Sequence, residues 1–129
     1  MYVDEQNTSR DYLFGRLLAL AEKIERDTFK TDAGKRVTNA ERYIGKFATA
    51  PAATWATLFL KLKSAYLPQY DIGLRKYLED KLIAVMNKFE NYEINDNGKL
   101  STMFLAGYTH ERISAYEKTD KNREDSDNG

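Results

Sequence analysis

Two groups of residues in this 129-residue chain have types and spacing that can do chemistry. The first is Gly107-Tyr108-Thr109-His110-Glu111-Arg112, which holds the only histidine of the sequence beside a carboxylate and a guanidinium. Such a trio could serve acid–base chemistry or ligand binding, or it could be a joint between packed helices. The second is a run of cations: Lys30, Lys35, Arg36, Arg42, Lys46, Lys61 and Lys63. Between residues 28 and 63 these seven meet only Asp32 and Glu41, a net charge of +5 in a chain whose total is zero. Clustered positive charge attracts phosphates whatever the base sequence, so a polyanion would meet this segment, with Arg16 or Lys23 as further candidates.

Other chemistries are excluded by composition. With no cysteine there is no thiolate zinc site, no Cys-His nucleophile and no disulfide, which fits a reducing, cytoplasmic compartment. Residues 93–104 imitate a calcium loop, with Glu93, Asn95, Asn97 and Gly98 at its first, third, fifth and sixth places, but the twelfth place is Phe104 where a bidentate glutamate is required. The phosphate-loop, dinucleotide and Gly-x-Ser-x-Gly motifs are missing, so neither a cofactor nor an enzymatic activity is implied. No apolar run reaches the roughly 18 residues of a membrane helix, and the first residues lack the basic and apolar regions of a signal peptide.

The elements that carry these residues read as helices throughout, because no apolar–polar alternation of period two persists. Tyr12, Leu13, Leu17, Leu20 and Ile24 form the stripe of a helix at about 9–29. Thr38 and Glu41 have the spacing of a capping box for a second helix reaching about Phe47, on which Arg42 and Lys46 share a face. Thr49 and Pro51 start a third, with Trp55, Leu58, Phe59, Leu62 and Tyr66 inward, ended by Leu67-Pro68. A fourth runs from about Tyr70 or Ile72 to Tyr92, with Leu74, Leu78, Leu82, Val85 and Phe89 inward. The fifth is Leu100–Tyr116, with Ser101 or Thr102 as its cap. The expected fold is all-α: a five-helix bundle with short connections, one domain over 1–129, an ordered core at about 9–117 and disordered termini, including an acidic tail at 118–129.

Within that bundle Gly15 and Gly107 are expected at close helix contacts, since a mid-helix glycine costs about 1 kcal/mol relative to alanine. His110 is expected to be partly buried and hydrogen-bonded to a neighbouring helix. Arg16 and Arg112 are candidates to pair with carboxylates across the same joint, while Glu22 with Arg26 and Glu79 with Lys76 read as solvated helix pairs. Tyr43 and Phe47 flank the cations and could stack on an unpaired base, but their spacing of four favours the core, as does the position of Trp55.

Three stretches in register resemble a known family. They are Asp11-Tyr12-Leu13-Phe14-Gly15-Arg16-Leu17, then Arg42-Tyr43-Ile44-Gly45 running to Ala50-Pro51-Ala52, and Phe104-Leu105-Ala106-Gly107-Tyr108-Thr109-His110-Glu111-Arg112. They resemble the C-terminal region of the large subunit of type I-C CRISPR surveillance complexes (Cascade), over about residues 11–117. Departures are Ala50 where threonine is common, and Thr109 and Glu111 in the last motif. A methionine just upstream of the first motif is similar to the internal start from which type I-C systems make a separate small subunit.

The resemblance implies a non-catalytic small subunit that contacts the displaced non-target DNA strand and the guide–target heteroduplex. Its expected partners are the Cascade backbone and large subunits and other copies of itself, with no membrane. The alternatives are a purely architectural subunit touching only protein, and the C-terminal domain of the large subunit itself.

Overall fold

The computed structural model describes residues 2–29 and 36–127, the last twelve of these as backbone only. Six α-helices are seen among the described residues: α1 (Arg10–Arg26), α2 (Asn39–Arg42), α3 (Ile44–Thr49), α4 (Pro51–Lys61), α5 (Ile72–Met86) and α6 (Met103–Asp127). No strand occurs among them, so the all-α expectation holds. The acidic tail expected at 118–129 falls on residues whose side chains lie outside the description, as does the loop at 30–35.

The helix α1 is the axis of the bundle. Its stripe was expected to be one-sided, yet every residue from Tyr12 to Glu22 is buried, including Phe14, Leu18 and Ala21 opposite the expected face. A helix buried all round belongs at the centre of a fold, and α2, α4, α5 and α6 all pack on it. The core that results joins Phe14, Leu17, Leu18, Phe47, Trp55, Leu58, Leu62, Leu82 and Phe104, with Phe47 stacked on Phe104 at 5.6 Å and edge-on to Phe14 at 5.7 Å.

Helix boundaries follow local chemistry. The Thr38 hydroxyl accepts from Glu41 N–H at 3.0 Å and opens α2 as expected, but the Glu41 carboxylate turns to Arg26 instead of completing the box. The single second helix is in fact two, parted at Tyr43 (φ −95°, ψ 4°). Ala50, not Thr49, is the N-cap of α4, at φ −144° and ψ 67°, because the ring of Pro51 keeps the preceding residue out of the α region.

After α4 the chain widens into a π turn at Leu62–Tyr66 and closes in a 3-10 turn at Leu67–Gln69. The α5 helix stops at Met86, short of Tyr92, with Asn91 at φ 51° in the turn that follows. Only Leu82 and Val85 of its expected inward set are buried, and Leu74 is exposed. Its N-cap Asp71 accepts from Leu74 N–H at 2.9 Å.

The closest joint is between α1 and α6, which run parallel. A Cβ on Gly15 would stand 2.6 Å from Tyr108 N and 3.1 Å from the Gly107 carbonyl carbon, and one on Gly107 would stand 2.9 Å from the Tyr12 carbonyl carbon. Both glycines are therefore required by backbone-to-backbone approach, as expected from the sequence. At the start of the same joint Asp11 accepts from Ser101 N–H at 2.8 Å, while Arg10 donates to the carbonyls of Asp96, Gly98 and Lys99 at 2.8–3.2 Å. The loop that imitates a calcium site thus already holds a cation, the guanidinium of Arg10.

Candidate nucleic-acid interface

The histidine cluster sits inside the α1–α6 joint. Tyr12 Oη is hydrogen-bonded to His110 Nδ1 at 2.9 Å and accepts from Asp4 N–H at 2.8 Å. Arg16 is buried and pairs with Glu111 at 3.1 Å and with Glu5 at 3.5 Å. Glu111, one of the departures from the family pattern, thereby neutralises a buried guanidinium. Glu22, also buried, accepts from Tyr108 Oη and pairs with Arg26 at 3.4 Å and Arg112 at 3.7 Å. Arg26 continues the chain of charges to Glu41 on α2.

The charges of these groups offset one another across the joint, although Arg16 Nη1 is buried there without a hydrogen-bond partner among the described residues. Arg16 and Lys23, considered as anion contacts, are occupied, Lys23 by Asp27 at 2.9 Å. On α5 the ion pairs are Arg75–Glu79 and Lys76–Asp80, so Glu79 turns to Arg75 and not to Lys76.

The cations of the middle segment behave differently. Lys30 and Lys35 lie outside the described residues. Arg36, Arg42, Lys46, Lys61 and Lys63 form no ion pair with a described carboxylate, and outside the segment neither do Lys81 and Lys99, whereas Arg10, Arg16, Lys23, Arg26, Arg75, Lys76, Lys88 and Arg112 all do. Of the segment's described cations, all but Arg42 lie over aromatic rings. The Arg36 guanidinium lies 4.2 Å from the ring centre of Phe29, and the ammonium groups of Lys46 and Lys61 lie 5.4 and 5.7 Å from the single ring of Tyr43. Lys63 lies 5.5 Å from Phe59. Residues two apart on a helix point apart, so Lys63 diverges from Lys61 and belongs to another face.

Glu25 organises this surface from beneath. Burial pushes its carboxyl up from the ordinary range, against the opposing pull of the Asn39 and Ala40 N–H groups and of the Lys61 and Arg42 charges. Asn39 N–H donates to its Oε2 at 2.7 Å, and Asn39 Nδ2 donates to Tyr66 Oη at 3.0 Å. The Tyr66 phenol is raised in turn, first by burial and then by the Glu25 charge, with Lys61 and Arg36 acting against it. Arg36, Arg42 and Lys61 therefore share one electrostatic neighbourhood, which Lys46 joins through Tyr43. Glu25 could not be singled out from the sequence, because it lies outside the basic segment and its spacing marks only a helix.

Of the two aromatics that flank the cations, Phe47 is fully buried, as expected. Tyr43 departs from the expectation of a core residue: it packs against the core but keeps part of its ring exposed. With Lys46, Ala53, Thr54 and Thr57 it lines a recess of about 180 Å³ between α3 and α4. Trp55 is buried against Phe59, as expected.

No group of three or more potential metal ligands is found among the described residues. No helix among them is long and apolar enough to cross a membrane. The fold and this surface define an all-helical protein with an internally neutralised α1–α6 joint and one face of clustered cations that form no ion pair with a described carboxylate. The chain belongs to the Cas_Csd1 family of CRISPR-associated proteins, which it matches over residues 1–116. No curated protein is similar enough to the chain to match it.

Proposed function

We propose that this protein is the non-catalytic small subunit of a type I-C CRISPR RNA-guided surveillance complex, acting in the cytoplasm. It stabilises the R-loop by sequence-independent contact with the displaced non-target strand, and it bridges the backbone and large subunits. The observation that carries the DNA contact is the gathering of Arg36, Arg42, Lys46 and Lys61 on one surface, none of them in an ion pair with a described carboxylate. Several like charges gathered over the single buried carboxyl of Glu25 repel one another, and a phosphate backbone relieves that repulsion while releasing its own counterions. A guide RNA reads the target sequence in such a complex, so contacts that ignore base identity suit this role.

The isolated chain should bind a labelled oligothymidine weakly, and the affinity should fall steeply as salt rises. Replacing Arg36, Arg42, Lys46 and Lys61 together by alanine should remove that binding and its salt dependence. Equal binding by the wild type and this variant would sink the assignment of the face.

A purely architectural role is the second reading, favoured by the apolar side chains that α5 presents to solvent. Ile72 is 87% exposed, and Leu74, Tyr77 and Ile83 are exposed with it. We assign this surface to protein subunits within the same complex. The architectural reading expects R-loop stability to depend on the presence of the subunit but not on its surface charge. Whether the chain is a free subunit or the C-terminal domain of the large subunit is decided by whether a 129-residue species appears as its own band in the purified complex.

A further inference from the structure

The basic face has a feature that electrostatics alone does not require. Lys46 on α3 and Lys61 at the end of α4 converge on one aromatic ring, that of Tyr43, from separate helices. The ring is partly exposed, it stacks on no other described aromatic ring, and its hydroxyl makes no hydrogen bond to a described residue. A tyrosine that only filled the core would bury its face, as Phe47 does one turn later. Beside the ring lies the recess of about 180 Å³ whose other walls are Lys46, Ala53, Thr54 and Thr57. Its lining is small and carries no charged group other than the lysine, and the Thr57 hydroxyl is spent on the Ala53 carbonyl, so it offers few groups to read a base edge with.

We propose that this recess receives one unpaired nucleobase, stacked on the Tyr43 ring, while Lys46 and Lys61 hold the phosphates on either side of it. The inference rests on the DNA-contact reading above and adds to it a preference for single strands. Bases in a duplex are stacked on each other and cannot present a free face, whereas every unpaired base has one, so an aromatic platform selects strandedness without selecting sequence. The lysine stems are flexible enough to swing an ammonium from the ring to a neighbouring phosphate. Thr54 and Thr57, three apart on α4, keep the facing wall narrow.

The test measures binding of the 129-residue chain at fixed low salt to three probes of equal length: an oligothymidine, the same backbone with abasic sites, and a duplex. The wild type should prefer the oligothymidine to the abasic strand by about fivefold or more, the range expected for one stacked base. Tyr43→Leu, which keeps apolar bulk against the core, should bind both strands alike, and Tyr43→Phe should retain the preference. The leucine variant should also keep the salt slope of the wild type, because its phosphate contacts are untouched. Salt-dependent binding with no difference between Tyr43→Leu and wild type would overturn the stacking while leaving the DNA contact standing. If the wild type bound none of the probes, both would fall.

Discussion

A methyl group on Gly15 would stand 3.1 Å from the carbonyl carbon of Gly107, so these two glycines bring the backbones of α1 and α6 into direct contact. Alanine is the better helix former by about 1 kcal/mol, yet at either position its Cβ would meet rigid backbone that cannot yield. Overpacking of this kind costs typically 1–3 kcal/mol and occasionally more. We expect Gly15→Ala and Gly107→Ala each to lose about 3 kcal/mol, as measured by urea unfolding. Gly45→Ala is the control, since a Cβ there meets nothing within 4 Å, and it should be neutral or slightly stabilising.

Arg10 ties the turn at 96–99 to the start of α1 through three backbone carbonyls. A charged donor bonded to a carbonyl contributes about 1.5–3 kcal/mol. Arg10→Ala should cost about that much. Amide exchange should quicken most at Leu100 and Ser101, whose N–H groups donate to Ala48 O and to the Asp11 carboxylate. An effect spread evenly over the chain would contradict the local role.

Asp11 and Glu25 should respond to pH with opposite signs. The Asp11 carboxyl loses some solvation to burial, but Ser101 N–H and the Arg10 guanidinium outweigh this and hold it below its ordinary value of 3.8. Its contribution to stability is therefore complete above that value and is lost as pH falls through the lowered pKa. Burial raises Glu25 above its ordinary 4.5, so its contribution is complete below 4.5 and is lost as pH rises through the raised pKa. In thermal melts across pH, Asp11→Asn should flatten the acid limb. Glu25→Gln, which keeps an acceptor for Asn39 N–H, should flatten the decline above pH 4.5 instead.

Much of this architecture was legible in the sequence, for identifiable reasons. Gly15 and Gly107 stood out because glycine inside a helix is costly unless a neighbour needs the space. His110 and Arg16 found their partners where parallel packing of the first and last helices placed them. Glu79 was matched to the wrong cation because Lys76 and Arg75 are both within one turn, and spacing alone does not choose between them. The burial of α1 on every side was hidden because Arg16, Glu22 and Glu25 read as a polar face. Their burial is compensated by Glu111, by Arg112 and Tyr108, and by Asn39, which lie on other elements, with Arg26 one turn away on the same helix. The partial exposure of Tyr43 was hidden for a related reason: a spacing of four from Phe47 describes a continuous helix, and the break at Tyr43 turns the two rings to different fates.

The measurement that bears most directly on the DNA-contact proposal is R-loop formation by the whole surveillance complex carrying this subunit with Arg36, Arg42, Lys46 and Lys61 changed to alanine. If the subunit holds the displaced strand, the variant should assemble normally, yet the complex should lose affinity for target duplex and lose it further as salt rises. A complex that assembles with the variant and forms R-loops as stably as the wild type at every salt concentration would contradict it.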